Sequence, residues 1–112
     1  MKSRSYIPQK GDLVWLDFSP QSGREQKGRR PALVVSSGIY NQTGLMLACP
    51  ITSRVKGYPF EVEIQSGIID GCVLADHVKN QDWKTRNVQF ISKSPEDVLT
   101  RTRQIIAALL VN

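Results

Sequence analysis

The chain has 112 residues, 40% of them hydrophobic and 22% charged, with fifteen Lys and Arg against ten Asp and Glu for a formal charge of +5. A single domain over residues 1–112 buries roughly two thirds of its unfolded surface and needs no disulfides, and the composition excludes disordered and fibrous classes. The positive balance points to a polyanionic partner, either nucleic acid or an acidic protein segment.

In chain order, residues 13–18 read as a strand with Val14, Leu16 and Phe18 on one face. Residues 32–36 are a short β-branched run expected as a buried strand, and residues 44–51 follow as another. Across residues 60–64, Phe60, Val62 and Ile64 alternate with Glu61 and Glu63, the pattern of a half-buried strand. Residues 72–75 and 87–91 complete the set. Short strands separated by Gly, Pro and Asn turns predict a strongly bent antiparallel sheet or small barrel. The period then changes. Ser94 stands at an N-cap position, Pro95 at the first helical position and Asp97 where a capping box carries its carboxylate. Val98, Thr102, Ile105, Ile106 and Leu109 recur at helical spacing, which predicts an amphipathic helix of about four turns closing the sheet. Residues 105–111 are apolar on more than one helix face, leaving one for the sheet and another for a second copy or a partner. The expected class is mainly β with one C-terminal helix.

Residues 1–8 lack the apolar segment of a secretory signal, and no run reaches the ~20 apolar residues of a membrane span, so a cytoplasmic protein without membrane association is expected. Cys49 and Cys72 lie in apolar segments at neither metal-ligand nor redox spacing and read as buried free thiols. With one histidine in the chain, no metal site is expected, and no cofactor.

Three basic stretches fall between the elements. Residues 19–31 hold Arg24, Lys27, Arg29 and Arg30 with one carboxylate, Glu25, in a connection long enough to be functional or disordered. Residues 53–59 place Arg54 and Lys56 beside Ser53 and Tyr58. Residues 79–86 bring Lys79, Lys84 and Arg86 around Trp83. Each alone reads equally well as a solvated turn, and Tyr58 and Trp83 read more readily as packing residues than as base platforms. Three on one small domain favour an anion-binding face, with cations along phosphates and rings on unpaired bases.

An ordered set of motifs adds to this reading: Gly11-Asp12-Leu13-Val14-Trp15, Phe18-Ser19-Pro20, and Gly23-Arg24-Glu25-Gln26-Lys27-Gly28-Arg29-Arg30-Pro31-Ala32. Pro50-Ile51-Thr52-Ser53, Lys56-Gly57-Tyr58-Pro59-Phe60 and Gly71-Cys72-Val73-Leu74-Ala75-Asp76 follow. Together they resemble the MazF/PemK family of toxins over nearly the whole chain. The resemblance implies an SH3-like barrel with a C-terminal helix, a homodimer, and metal-independent, sequence-specific cleavage of single-stranded RNA by the toxin of a toxin–antitoxin module. It also implies an antitoxin whose disordered, acidic and apolar tail covers the active face. By position, Arg30 is the motif arginine before proline, Thr52 the motif threonine and Glu25 the loop carboxylate. Arg29 stands where some relatives carry histidine, so a phosphate contact is expected there in place of a proton carrier.

Cleavage without a metal proceeds by attack of the ribose 2′-hydroxyl on its neighbouring phosphate, giving 2′,3′-cyclic phosphate and 5′-hydroxyl ends. It needs a base, stabilisation of the phosphorane and an acid for the leaving oxygen. Arg30 suits stabilisation through its fixed fork of donors, Thr52 adds another donor, and Glu25 is the candidate base. The candidate substrate contacts are Arg24, Lys27, Arg29, Ser53, Arg54, Lys56, Tyr58, Lys79, Trp83, Lys84 and Arg86. His77 stands outside the motif positions and is read as structural. Two other functions stay open: a same-fold toxin that binds a protein target such as DNA gyrase, and a non-catalytic RNA-binding module.

Overall fold

The computed structural model describes residues 6–18 and 28–111. They form β1 (Asp12–Asp17), β2 (Arg29–Val34), the single-turn helix α1 (Gly38–Asn41), β3 (Leu45–Thr52), β4 (Glu61–Gln65) and β5 (Asp70–Leu74). A 3-10 turn over Ala75–His77, β6 (Lys79–Asp82), β7 (Gln89–Lys93) and helix α2 (Glu96–Val111) complete the order. The strands are antiparallel neighbours in the spatial order β4-β5-β3-β2-β1-β7. The long strand β3 divides one of its edges between two partners. Ile51 and Thr52 pair with Val73 and Cys72 of β5, whereas residues 45–48 pair with β6. The 3-10 turn carries the chain from one partner to the next, and the sheet curls into a half-barrel with the helix against it.

β1 and β2 are buried on both faces, because Leu13, Val14, Leu16, Ala32, Leu33 and Val34 keep no exposed surface. The pleat sends alternate residues to opposite sides. Leu13, Leu33, Cys49, Ile51 and Val73 form a core with Val98 of α2, while Val14, Leu16, Ala32, Val34, Met46 and Ala48 pack with Phe18 and Val88 on the other side. Val14, Leu16 and Phe18 thus share a face, as the alternation predicts. Cys49 and Cys72 are free and buried. Burial pushes the Cys49 thiol up to about 12, so it stays protonated and unreactive near neutral pH. The N-terminal side is tied down by buried Asp12, which accepts from Tyr6 Oη, from Gln9 N at 2.9 Å and from Lys93 Nζ at 2.7 Å.

Two sequence expectations need correction. Residues 79–82, assigned to a basic loop, form β6 along β3. Only Gln81 of this strand is buried, so its sequence has no apolar alternation to read. Trp83, next in the chain, is 5% exposed, and its Nε1 donates to the Asn41 carbonyl at 2.9 Å. Its ring belongs to the second core and offers no face to a base. The second correction is at α2. Ser94 N donates to the Gly11 carbonyl at 2.8 Å and holds that residue on the sheet. The helix runs from Glu96, one residue after the Pro95 of the capping pattern, with the Pro95 carbonyl accepting from Val98 and Leu99. The Ser94 hydroxyl donates to that same carbonyl at 3.2 Å. Val98 and Thr102 face the sheet, while Leu110 and Val111 are largely exposed. No helix among the described residues is long and apolar enough to cross a membrane.

Trp83→Ala should cost about 3–5 kcal/mol in chemical denaturation, the range for truncating a buried aromatic. Tyr58→Ala, at a residue 51% exposed, should stay within about 0.5 kcal/mol of the native chain. Equal midpoints for the Trp83→Ala and native proteins would contradict the core position of the indole.

Candidate active site

The start of β2 and the end of β3 lie side by side. Continuing the Ala32–Pro50 register outward by two places sets Arg30 opposite Thr52. Both residues are in phase with the Ala32 and Ala48 side of the pleat. They line one surface cleft of about 350 Å³, shared with Ser53 and Asp70 and walled by Pro31, Ile51, Ile68 and Ile69. Arg30 is exposed, and its Cζ sits 5.9 Å from the centroid of the Phe18 ring, a cation–π contact that steadies a long side chain. Among the described residues no carboxylate forms an ion pair with it. Thr52 Oγ1 accepts the Arg54 N–H at 3.1 Å, so the hydroxyl proton remains to be donated outward. β5 closes the cleft from the far side. At Gly71, φ +148°, a Cβ would overlap the Thr52 carbonyl oxygen and come within 3.0 Å of Ser53 Cα, so only glycine permits this approach.

Arg29 behaves differently from its neighbour. Its guanidinium donates to Asp17 Oδ1 at 2.8 Å, to the Asn87 carbonyl at 2.8 Å and to Gln89 Oε1 at 3.2 Å. Asn87 Nδ2 donates to the other Asp17 oxygen at 2.7 Å from a left-handed backbone at φ 54° that asparagine tolerates. The Asn87 and Arg29 donors hold the Asp17 carboxyl below its ordinary range. Arg86 joins the cluster, Nη1 donating to the Asp17 carbonyl at 3.3 Å. Arg29 and Arg86, expected as phosphate contacts, thus spend these donors within the protein, binding β1 to β2 and to the approach to β7.

The cleft gathers Arg30, Thr52 and Ser53 from the sequence-predicted set, with Arg54 next in the chain. Lys79, Trp83 and Lys84 do not line it; Lys84 Nζ lies 5.8 Å from the Trp83 ring centroid on the β6 side. Arg24, Glu25 and Lys27 fall outside the described residues. His77 is exposed at the end of the 3-10 turn, 4.0 Å from Asp76, and does not line the cleft. Sequence reasoning missed Ile68, Ile69 and Asp70. Their only local signal is a turn between Gly67 and Gly71, and what brings them to Thr52 is the pairing of β5 with β3.

Residues 9–110 match the family described as PemK-like, MazF-like toxin of type II toxin-antitoxin system. The endoribonuclease toxin MazF of Escherichia coli (strain K12) is 50% identical over 82 residues, 72% of this chain and 74% of that protein. The endoribonuclease toxin ChpB of the same strain is 35% identical over 97 residues, 81% of this chain and 84% of that protein. A crystal structure of a MazE–MazF complex from Deinococcus radiodurans superposes with a TM-score of 0.88 at 52% identity, covering 95% of this chain and 97% of that one.

The basic segment after Thr52 is ordered by a carboxylate. Glu61 accepts the N–H groups of Lys56, at 3.2 Å, and Gly57, at 3.0 Å, folding the segment back over the start of β4. Desolvation, the largest single influence, raises the Glu61 pKa. The donors from Lys56, Gly57, Cys72 and Tyr58 together outweigh it and hold the carboxyl below the ordinary range. A lowered folded-state pKa means that the order of this segment is complete above the ordinary glutamate value and is lost as pH falls through the folded value. The Lys56 and Gly57 amide resonances should therefore titrate with a midpoint below 4.5, the ordinary value, and the titration should vanish in Glu61→Gln. A midpoint at or above that value would contradict the clamp.

Proposed function

This chain belongs to the PemK-like, MazF-like toxins of type II toxin–antitoxin systems and is a sequence-specific endoribonuclease toxin, and we propose that it cuts single-stranded RNA without a metal, through Arg30, Thr52 and Glu25. The observation that carries this reading is the single cleft lined by Arg30 and Thr52. The scissile phosphate lies between them. Arg30 presents two parallel N–H donors to the non-bridging oxygens, and the Thr52 hydroxyl adds a third hydrogen bond as negative charge builds on the phosphorane. Glu25 takes the 2′-hydroxyl proton. Arg30 acts electrostatically, through the fixed fork of donors of its guanidinium. The 5′-oxygen leaves with a proton from solvent, and the products end in 2′,3′-cyclic phosphate and 5′-hydroxyl. From Ser53 in the cleft, exposed Arg54, Lys56 and Tyr58 follow the strand outward, pairing charge with one ring for stacking.

The protein works in the cytoplasm as a homodimer, with the exposed Leu109, Leu110 and Val111 end of α2 available to a second copy. A cognate antitoxin silences it by laying an acidic and apolar disordered tail over the basic face. The MazE–MazF complexes among its structural neighbours support such a pairing. Both partners suit a surface that mixes exposed Arg54 and Lys56 with exposed Val55 and Ile68.

On a short single-stranded RNA in EDTA, the native chain should release cyclic-phosphate ends. Arg30→Ala should lose at least about 2.7 kcal/mol of transition-state stabilisation, a hundredfold in rate, while His77→Ala retains most activity. A dead His77→Ala with a live Arg30→Ala would overturn the assignment, and RNA bound but left intact by the native chain would overturn the nuclease reading.

A further inference from the structure

The cleft that takes the phosphate also contains a group that repels one. Among its described lining residues Asp70 is the single carboxylate, and it is exposed at the first position of β5. Its one described hydrogen bond is long, from Gly67 N to Oδ1 at 3.4 Å, and leaves most of its acceptor capacity free. The turn that carries it is stiff. Ser66 Oγ accepts from Ile68 N at 3.2 Å and Ile69 N at 2.8 Å and donates to the Ile69 carbonyl at 3.0 Å. This turn presents Ile68, 64% exposed, as an apolar surface on the same cleft. The missing Cβ of Gly71 fixes how near this turn stands to Thr52.

The cleft therefore has two chemically distinct sides. Arg30 and Thr52 offer donors to an anion. Asp70 offers only acceptors, beside the exposed apolar side chain of Ile68, against which a base can pack. Resting on the site reading above, we propose that Asp70 determines sequence specificity by accepting a hydrogen bond from the exocyclic amino group of the base that flanks the cut phosphate. Cytosine, adenine and guanine each carry such a donor on an edge that is open in single-stranded RNA, and a carboxylate is the matching acceptor. Uracil places a carbonyl oxygen where cytosine has its amino group, and two acceptors facing each other repel.

Asp70→Asn tests this directly. The amide keeps an oxygen for Gly67 and gains a donor for uracil, so it should tolerate both kinds of base. Cleavage of a randomised single-stranded RNA pool with end-mapping should show native protein disfavouring uracil by about tenfold at one position next to the cut, and Asp70→Asn should erase that bias at that position alone. An unchanged base profile overturns the assignment, as does a rate change uniform over all sequences, which marks Asp70 as a general charge only. Arg30→Ala on the same pool separates the two levels. If it cuts at the native rate, the site reading fails; if it is dead while the Asp70→Asn profile is native, only the specificity role fails.

Discussion

The site depends on the antiparallel ladder that holds β2, β3 and β5 in register at one end of the sheet. Arg30, Thr52 and Asp70 are far apart in sequence, yet each stands at or next to the terminus of a strand paired with the next. A one-residue slip between β2 and β3 would turn Arg30 to the opposite face, because side chains alternate along a strand. Slippage is opposed by burial on both sides: Leu33 and Cys49 fill one core and Ala32 and Ala48 the other, so neither face tolerates its residues exchanged. Gly71 supplies the remaining condition, a backbone without a side chain where β5 meets Thr52.

Charge is divided between structure and function along the same strands. Arg29 and Arg30 are consecutive, so the pleat points them to opposite faces. Arg29 meets Asp17 and the residues leading into β7, which draw its donors into holding strand ends together. Arg30 has the Phe18 ring beside it, and among the described residues its donors meet no side-chain or carbonyl partner. The same division separates Glu61, whose acceptors order the segment after Thr52, from Asp70, whose acceptors remain open. A net charge of +5 says nothing about this division. The partners of each cation decide it.

Much of the sheet was legible because its strands are apolar enough to show their period. The runs around Val14, Val34 and Met46 and the alternation from Phe60 to Ile64 correspond to β1, β2, β3 and β4, and the helical spacing after Ser94 corresponds to α2. β6 was not legible, since Lys79-Asn80-Gln81-Asp82 has one inward residue and that residue is polar. The convergence of Arg30 with Thr52 was expected from motif positions, and the ladder gives its physical reason. Trp83 was read more readily as packing than as a base platform but kept as a candidate contact, because a ring among cations looks the same in sequence whether it packs inward or outward. Its indole N–H to the Asn41 carbonyl settles the direction. Asp70 carried no local signal, because its place beside Thr52 exists only through strand pairing.

Arg30 and Thr52 are proposed to act on one phosphate. The most direct measurement is a double-mutant cycle: single-turnover cleavage rates for native protein, Arg30→Ala, Thr52→Ala and the double variant on one RNA. Two groups stabilising the same phosphorane must be coupled, so the double variant should lose clearly less than the product of the two single losses. Losses that simply multiply would show two independent residues and contradict a shared site.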